Sequence, residues 1–239
     1  MIKDDARETC EPVQLGQGTP AGTQCMGVEL DLHVVVQPDQ VLFKDDANNA
    51  FNSVERAAMM EEIRKQGSKL RASERFFESE LRPRSRIYGL TGGKLKQLDF
   101  DSANGGQQGA LSAGVGHNTA VQRDYEEIDN AIAAHGGKAC AICDDFLIAG
   151  PPEVLWPLLE VAFEARRRRT GLTSNMTKAE VYSPNGNYGN VPEGVTVGTN
   201  GRRRNAAGVP IGDDVFKRNF VAQKVDEVSG EIEQNHTKL

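Results

Sequence analysis

Acidic side chains stand at the ends of two apolar segments of this 239-residue chain. The first segment, Val41-Leu42-Phe43, runs into Lys44-Asp45-Asp46, and the second, residues 139–149, carries Asp144-Asp145 near its middle. An ionised carboxylate beside buried strands is costly unless it is paired with a cation or binds a metal ion. Because adjacent carboxylates also repel each other, the Asp144-Asp145 pair requires a compensating positive charge.

Divalent metal ions are the compensating charge that these residue types favour. Carboxylate oxygens are the ligands that hard ions such as Mg²⁺ prefer. In a two-metal centre the ions lie about 3.5–4 Å apart, where one activates an attacking hydroxyl group and the other stabilises the leaving oxygen. The alternative is ordinary turn chemistry, since Asp is a common turn residue. Taken alone, the acid pair leaves that alternative open.

The elements that must position these acids follow from the apolar and turn residues. Val41–Phe43 predicts a buried strand that delivers acids at its C-terminal end, and residues 139–149 predict a hairpin with Asp144-Asp145 at its turn. Helices are predicted after Ser53 as the N-cap, over residues 120–134, and over residues 152–169, where Gly171 ends the helix. These elements together predict an α+β fold in which helices back an antiparallel sheet.

Two further elements lie outside this arrangement. Residues 85–99 predict a hairpin around Thr91-Gly92-Gly93. A last helix is predicted after Asp213 or Asp214 as its cap. Its inward-facing apolar residues are predicted to be Phe216, Phe220, Val225 and Val228.

Composition excludes some classes of protein. No apolar run approaches membrane-spanning length, and the N-terminus resembles no secretory signal, so we expect an intracellular chain, in nucleus or cytoplasm, with reduced cysteines. The net charge of −6 argues against a strongly basic nucleic-acid binder, although Arg166–Arg169 form a local basic cluster. That cluster also fits the last turn of a helix, where cations complement the macrodipole, and both interpretations stay open. Cys140 and Cys143 are predicted to be buried thiols of a strand rather than half of a zinc site.

Several blocks of sequence, in a fixed order, resemble the reverse transcriptases of non-LTR retrotransposons. Residues 46–53 (DANNAFNS) resemble the first palm motif, in which Asp is followed by two variable residues and Asn-Ala-Phe-Asn-Ser. The other matching blocks are the Gly-rich stretch from Pro12 to Gly22, Gly106-Gln107-Gln108-Gly109, the Asp-Asp hairpin at 142–145, Gly171-Leu172 with Asn175 and Lys178, and Gly208-Val209-Pro210-Ile211-Gly212. Together they cover most of residues 12–228.

The resemblance implies a right-hand polymerase palm and the chemistry of an RNA-directed DNA polymerase. Asp46 and Asp144 would be the ligands of two Mg²⁺ ions, with Mn²⁺ as a possible substitute, and Asp145 the supporting catalytic acid. The partners would be an RNA or DNA template with its primer and a deoxynucleoside triphosphate (dNTP), with no membrane involved. Phe51 would lie under the incoming sugar, Gln108 and Gly109 against the nucleotide and template, and Lys178 near the triphosphate.

The resemblance also implies domain boundaries and leaves two alternatives. Residues 1–40 would be a remnant of the fingers, 41–182 the palm, and 183–239 the end of the palm towards a missing thumb. After Gly109 the chain departs from the family pattern, with polar residues where an apolar helix is expected, including His117 and Asp124. The first alternative is therefore an inactive palm that at most binds nucleic acid. The second is an unrelated metal-binding α+β domain.

Overall fold

A mixed five-stranded sheet carries the acidic residues. The computed structural model describes residues 2–65, 67–82, 84–107, 109–198, 204–206 and 208–236. The elements in chain order are α1 (Ile2–Cys10), α2 (Gly22–Val36), β1 (Val41–Asp45), α3 (Ala50–Ser53), α4 (Arg56–Arg64), a 3₁₀ helix (Lys69–Ser73), α5 (Glu74–Leu81), β2 (Ser85–Thr91), β3 (Lys94–Ser102), α6 (Leu111–Ala133), β4 (Lys138–Ile142), β5 (Asp145–Gly150), α7 (Pro152–Thr170), β6 (Glu180–Tyr182), β7 (Thr196–Val197), β8 (Arg204–Ala206), β9 (Val209–Ile211) and α8 (Asp214–His236).

The strand order in the main sheet is β4-β5-β1-β6-β7. The pairs β4–β5, β5–β1 and β1–β6 are antiparallel, and β7 is parallel to β6. Two small ribbons stand apart from this sheet, β2 with β3 and β8 with β9. The sequence-predicted α+β fold, with an antiparallel sheet backed by helices, is therefore confirmed.

Both faces of the main sheet are covered. Because side chains alternate between the two faces along a strand, consecutive apolar residues are buried on both sides of the sheet. One face packs against α6 and α7, and the other packs against α2 and β9. The strand residues on the α6 and α7 side are Val41, Phe43, Ala139, Ala141, Phe146, Ile148 and Val181. Those on the α2 side are Leu42, Cys140, Leu147, Ala149 and Tyr182. Burial on both faces explains why the strands are apolar runs rather than alternating ones.

The helix predicted at 152–169 is α7, and its ends follow the residues that favour them. Proline occupies its first turn, where the missing N–H would have no partner inside the helix. Gly171 ends it with a positive φ of 75°, a conformation that costs glycine nothing. Pro157 lies inside the helix, where a proline removes one backbone hydrogen-bond donor.

Three expectations about helices need correction. Ser53 ends the short α3 rather than capping a helix; Glu55 precedes α4. The helix predicted at 120–134 begins at Leu111, because its first turns bury polar side chains that an apolar pattern does not detect. For the last helix, Val225 and Val228 were expected to face inward but are 57% and 54% exposed.

One of the two predicted caps of that helix is confirmed, because Asp213 accepts a hydrogen bond from the N–H of Phe216 at the start of α8.

Within the described residues, no helix has the length and apolar character that crossing a lipid bilayer requires.

A buried ion pair fixes the end of β1 to α7. The Arg166 guanidinium donates to a carboxylate oxygen of Asp45 at 2.8 Å, and their side chains are 0% and 1% exposed. Arg166 also donates to the Ser174 hydroxyl at 2.6 Å and lies 4.5 Å from the centre of the Phe163 ring. In the twofold alternation of the strand, Asp45 lies on the same side as Phe43, and that side faces α7.

Arg166→Met is expected to lower the free energy of unfolding by about 3–5 kcal/mol, because it leaves the Asp45 carboxylate buried without its counter-ion. Urea denaturation measures this change. The matched control is Arg168→Gln, which removes an exposed arginine of the same helix, paired only with Glu164, and should change stability by less than about 1 kcal/mol. Equal effects of the two substitutions would contradict the importance of the buried pair.

Candidate active site

The pairing of β1 with β5 brings the predicted acids to one end of the sheet. Asp45, the last residue of β1, lies opposite Phe146, the second residue of β5. The chain therefore leaves β1 at Asp46 level with the turn that carries Asp144 and Asp145. If the chain were an unrelated domain and the order of its sequence blocks were chance, there would be no reason to expect this convergence.

The turn between β4 and β5 concentrates negative charge. The pKa of Asp144 is raised by desolvation first, and then by the charges of Asp145 and Asp46, while Lys44 opposes the shift. Asp144 reaches solvent at the tip of this turn. A carboxylate held close to two others, with only partial compensation, favours the binding of a cation.

Asp145 already has a cation. The Lys44 ammonium group lies 2.7 Å from its carboxylate, and both side chains are partly exposed. Lys44 and Asp145 come from neighbouring strands, and this pair bridges them beside the turn. Of the three carboxylates that the resemblance names, Asp145 is therefore the one whose charge a lysine offsets.

Gln14 holds the acidic turn from the other side. Its side-chain amide donates to the Cys143 carbonyl at 2.9 Å, and its side-chain oxygen accepts the Cys143 N–H at 2.8 Å. Cys143 has a φ of +57°, which costs a non-glycine residue conformational energy and requires support from its surroundings. Gly16 allows this approach, because a Cβ there would lie 2.8 Å from the Cys143 nitrogen. Gln14 is thus a positioning residue that offsets the strain of the turn.

The backbone after β1 is also anchored. The Asn175 N–H donates to the Asp46 carbonyl at 2.6 Å, and the Asn48 N–H donates to the Thr173 carbonyl at 2.8 Å. This anchoring segment follows α7 and belongs to the Gly-Leu…Asn…Lys block of the sequence. Lys178 is exposed at the end of the same turn, where its backbone N–H donates to Asn175.

Phe51 lies on α3, five residues after Asp46, and its ring packs on that of His117. The two ring centres are 4.9 Å apart. His117 is buried on α6, and burial, together with the charge of Arg166, lowers its pKa to about 4. The imidazole is therefore neutral at physiological pH and acts as a largely apolar support for Phe51.

The glycine block brings a loop against α3. The Gly106 N–H donates to the Phe51 carbonyl at 2.8 Å, and a Cβ on Gly105 would lie 2.3 Å from that same oxygen. Only glycine permits such an approach. Gly109 is exposed with a φ of +92°, just before α6 begins. Gln108 lies outside the described residues.

The carboxylates of Asp46 and Asp144 fit a divalent ion whose other ligands are waters and substrate oxygens. Among the residues that the structure describes, no group of three or more His, Cys, Asp or Glu side chains is arranged as a metal cage. Mg²⁺ does not need one, because it keeps several waters and typically binds through one or two carboxylates together with substrate phosphates. Asp46 and Asp144 would supply such carboxylates.

The arginine cluster of α7 has structural partners. Arg166 is buried against Asp45, Arg167 and Arg168 pair with Glu164, and Arg169 pairs with Asp124 and Glu62. Arg166 and Arg169 therefore serve the fold, whereas the exposed Arg167 and Arg168 share the one carboxylate of Glu164.

The cysteines are thiols, and those of the expected strand differ in burial. Cys140 is buried in β4, and burial raises its pKa to about 12; Cys143 lies partly buried in the acidic turn. Cys10 is likewise buried with a pKa of about 12, whereas Cys25 is exposed. Their raised pKa values make Cys10 and Cys140 poor nucleophiles and poor metal ligands at neutral pH.

Among known proteins, a telomerase structure has a fold similar to that of this chain. The sequence matches no protein-family model, and no curated protein matches it either. Among solved structures, an apo telomerase from Candida tropicalis, truncated from its C-terminal domain, has a TM-score of 0.52 and 9% identity over 74% of this chain. At that identity the likeness shows the fold alone, and it confirms the polymerase-like fold class expected from the sequence.

Two further telomerase structures are similar to a lesser degree. Apo telomerase from Candida tropicalis gives a TM-score of 0.49 at 10% identity over 74% of this chain. A Candida albicans telomerase in complex with the TWJ fragment of telomeric RNA gives 0.45 at 9% identity over 75%. The chain spans only 38%, 34% and 32% of the lengths of the chains in these three structures.

Sequence reasoning missed three residues that shape the site: Gln14, His117 and Arg166. Strand alternation gave a signal for the Asp45–Arg166 pair, since Asp45 must lie on the same side as Phe43. His117 was noted only as a departure from an apolar helix, and its contact with Phe51 had no signal. Gln14 belonged to a recognised block, but nothing in the sequence indicated its hydrogen bonds to Cys143.

Gln14→Ala is expected to cost about 1–3 kcal/mol of stability, because it orphans the Cys143 backbone groups in a strained turn. Urea denaturation measures the loss, and amide hydrogen exchange at residues 141–145 should accelerate. The control is Gln223→Ala, which removes an exposed glutamine of α8 that bonds only Glu227. Unchanged exchange in the turn would contradict the positioning role of Gln14.

Asp144→Asn is expected to stabilise the metal-free protein at neutral pH. Since the folded-state pKa of Asp144 is raised, protonation favours the folded state, and stability falls as the pH rises through the titration of this group. The substitution removes that loss, so its benefit should shrink as the pH falls. Unfolding in a chelator across a pH series measures the effect, with the exposed Asp226→Asn as control. A benefit independent of pH would contradict the charge crowding.

Proposed function

We propose that this chain is the palm of a reverse-transcriptase-like nucleic-acid polymerase that extends a primer on an RNA template. The observation that carries the proposal is the antiparallel pairing of β1 with β5, which brings Asp46 to the Asp144 turn. The fold likeness to telomerase supports the class. It supports neither activity nor the kind of element that encodes the chain.

Nucleotidyl transfer joins the primer 3′-oxygen to the α-phosphorus of a dNTP, while the bond to the β-phosphate oxygen breaks and pyrophosphate leaves. Bound Mg²⁺ or Mn²⁺ would supply activation of the hydroxyl and charge stabilisation of the leaving oxygen. Asp46 and Asp144 would hold these ions. Lys44 neutralises Asp145 beside them, and Gln14 holds the Cys143 backbone in the turn.

Phe51 is proposed to select the sugar. Its ring follows Asp46 on α3 and is supported from below by the neutral His117. A bulky ring that cannot move away would collide with a ribose 2′-hydroxyl and favour a deoxyribose. Gly109, with an exposed backbone at the start of α6, would lie near the nucleotide and template, as would Gln108, and Lys178 would lie near the triphosphate.

The ordered blocks of sequence support a finer proposal, namely a retroelement of the non-LTR type. Its partners would then be an RNA or DNA template with a primer and a dNTP.

The second candidate is a palm that folds and binds nucleic acid without turnover. The observation that favours it is the row of buried polar side chains on α6, which includes His117, Asn118 and Thr119. Buried polar groups are costly when their hydrogen bonds are incomplete, and the Thr119 hydroxyl finds no partner among the described residues. Template binding without incorporation would favour this candidate.

Primer extension on an RNA template with Mg²⁺ tests the proposal. Asp144→Asn and Asp46→Asn should each lower the rate roughly a hundredfold or more, because a metal ion's charge stabilisation is worth several kcal/mol. Asp226→Asn on α8 should leave the rate unchanged. Equal activity of the wild-type protein and Asp144→Asn would refute the assignment.

Phe51→Val should weaken discrimination against ribonucleotides by roughly tenfold, since it removes the steric contact with the sugar while leaving the metal ligands in place. The ratio of kcat/KM for a dNTP to that for the matching ribonucleotide measures this. Phe76→Val, on a partly exposed phenylalanine of α5, is the control. A ratio that stays at the wild-type value in Phe51→Val would exclude Phe51 as the sugar-selecting residue.

A further inference from the structure

A cavity rich in arginine lies between α4, α5 and the start of the β2–β3 ribbon. Its volume is about 310 Å³. Four of its lining residues are arginines, Arg56, Arg64, Arg82 and Arg84, and the one acidic residue among them is Glu78. Such a density of guanidinium groups is unexpected in a chain of net charge −6.

The carboxylates beside this cavity do not balance its positive charge. Glu78 accepts hydrogen bonds from both Arg64 and Arg82, each at 3.0 Å, so one carboxylate serves two guanidinium groups. Glu74, outside the lining, binds Arg64 at 2.7 Å. The three arginines Arg64, Arg82 and Arg84 and these two glutamates leave an excess of about one positive charge, by the simple count of ionised groups. An excess of that sign attracts an anion, and guanidinium groups match phosphate oxygens in geometry.

We propose that this cavity binds a backbone phosphate of a single-stranded nucleic acid, and this inference rests on the proposed function. The residues that contact the phosphate are Arg82 and Arg84, which are exposed at the edge of the cavity. Arg64 is held by its two glutamates and shapes the floor.

The β2–β3 ribbon supports a nucleic-acid strand as the occupant rather than a free phosphate. The ribbon begins one residue after Arg84. It carries Tyr88, which is 50% exposed, and its exposed charged residues are Arg86, Lys94 and Lys96 against Asp99 and Asp101, an excess of one positive charge. A basic surface with an accessible aromatic ring is the combination that binds single strands, because the ring stacks on a base while the cations contact phosphates.

The cavity is also connected to the acidic site. Arg56 donates to the Gly105 carbonyl at 2.6 Å and to the Ser102 hydroxyl at 3.1 Å. The next residue, Gly106, bonds the carbonyl of Phe51. The loop 102–106 therefore joins the arginine cavity to the Phe51 side of the candidate active site, which suits a strand that enters that site.

Fluorescence anisotropy with a labelled single-stranded RNA oligonucleotide, in a chelator and without nucleotide, tests this inference separately from catalysis. Arg84→Gln and Arg82→Gln should each weaken binding and lower the slope of log affinity against log salt by about 0.7, the value for one phosphate contact to a single strand. Arg84→Lys should retain most of the slope because it retains the charge. Tyr88→Ala should weaken binding about fivefold or more without changing the slope.

Arg218→Gln on α8 is the matched control, since it removes the same charge from an exposed position on a distant helix. Its slope and affinity should equal those of the wild-type protein. The inference fails if Arg84→Gln and Arg82→Gln behave like Arg218→Gln, if the wild-type protein does not bind the oligonucleotide, or if inorganic phosphate binds as tightly as the strand. Salt-dependent binding through Arg84 without primer extension would refute the polymerase proposal and leave this inference standing.

Discussion

The alternation of side chains at the end of β1 is the constraint on which the site depends. Three consecutive charged residues there lie in three different surroundings. Lys44 pairs with Asp145 on the neighbouring strand, and Asp45 points the opposite way into a buried pair with Arg166. Asp46 leaves the strand beside the Asp144 turn. A shift of one residue in this strand would exchange the buried and the exposed acids, so the Asp45–Arg166 pair also sets the register of Asp46.

Hydrogen bonds from neighbouring segments fix the backbone on which the acids lie. Gln14 reaches from the N-terminal segment to both backbone groups of Cys143 and keeps a positive φ next to Asp144. Asn175, after α7, fixes the carbonyl of Asp46. The end of β1 and the Asp144 turn therefore lie at one end of the sheet because segments more than a hundred residues apart in sequence converge there. The pKa of Asp144 is raised by desolvation first and then by the charges of Asp145 and Asp46, and a bound cation would relieve the repulsion among these charges.

Local patterns predicted the elements that carry the acids, whereas the contacts that orient those acids come from distant residues. The strand at 41–43 and the hairpin around Asp144 were recognisable because apolar runs end in turn residues. The start of α6 was missed because His117 and its neighbours are buried polar residues, which the apolar periodicity of a helix cannot register. The inward direction assigned to Val225 failed because α8 buries little of its length. Gln14 could not be assigned from sequence, since its partner Cys143 lies 129 residues away.

The most direct test of a shared metal site is Mn²⁺ binding to the wild-type protein, Asp46→Asn, Asp144→Asn and the double variant, followed by electron paramagnetic resonance. If the two carboxylates hold the same ions, each single substitution weakens Mn²⁺ binding, and the double substitution adds little to either one. Single variants that bind Mn²⁺ as the wild-type protein does, or losses that simply add, would mean that Asp46 and Asp144 do not act on one metal site.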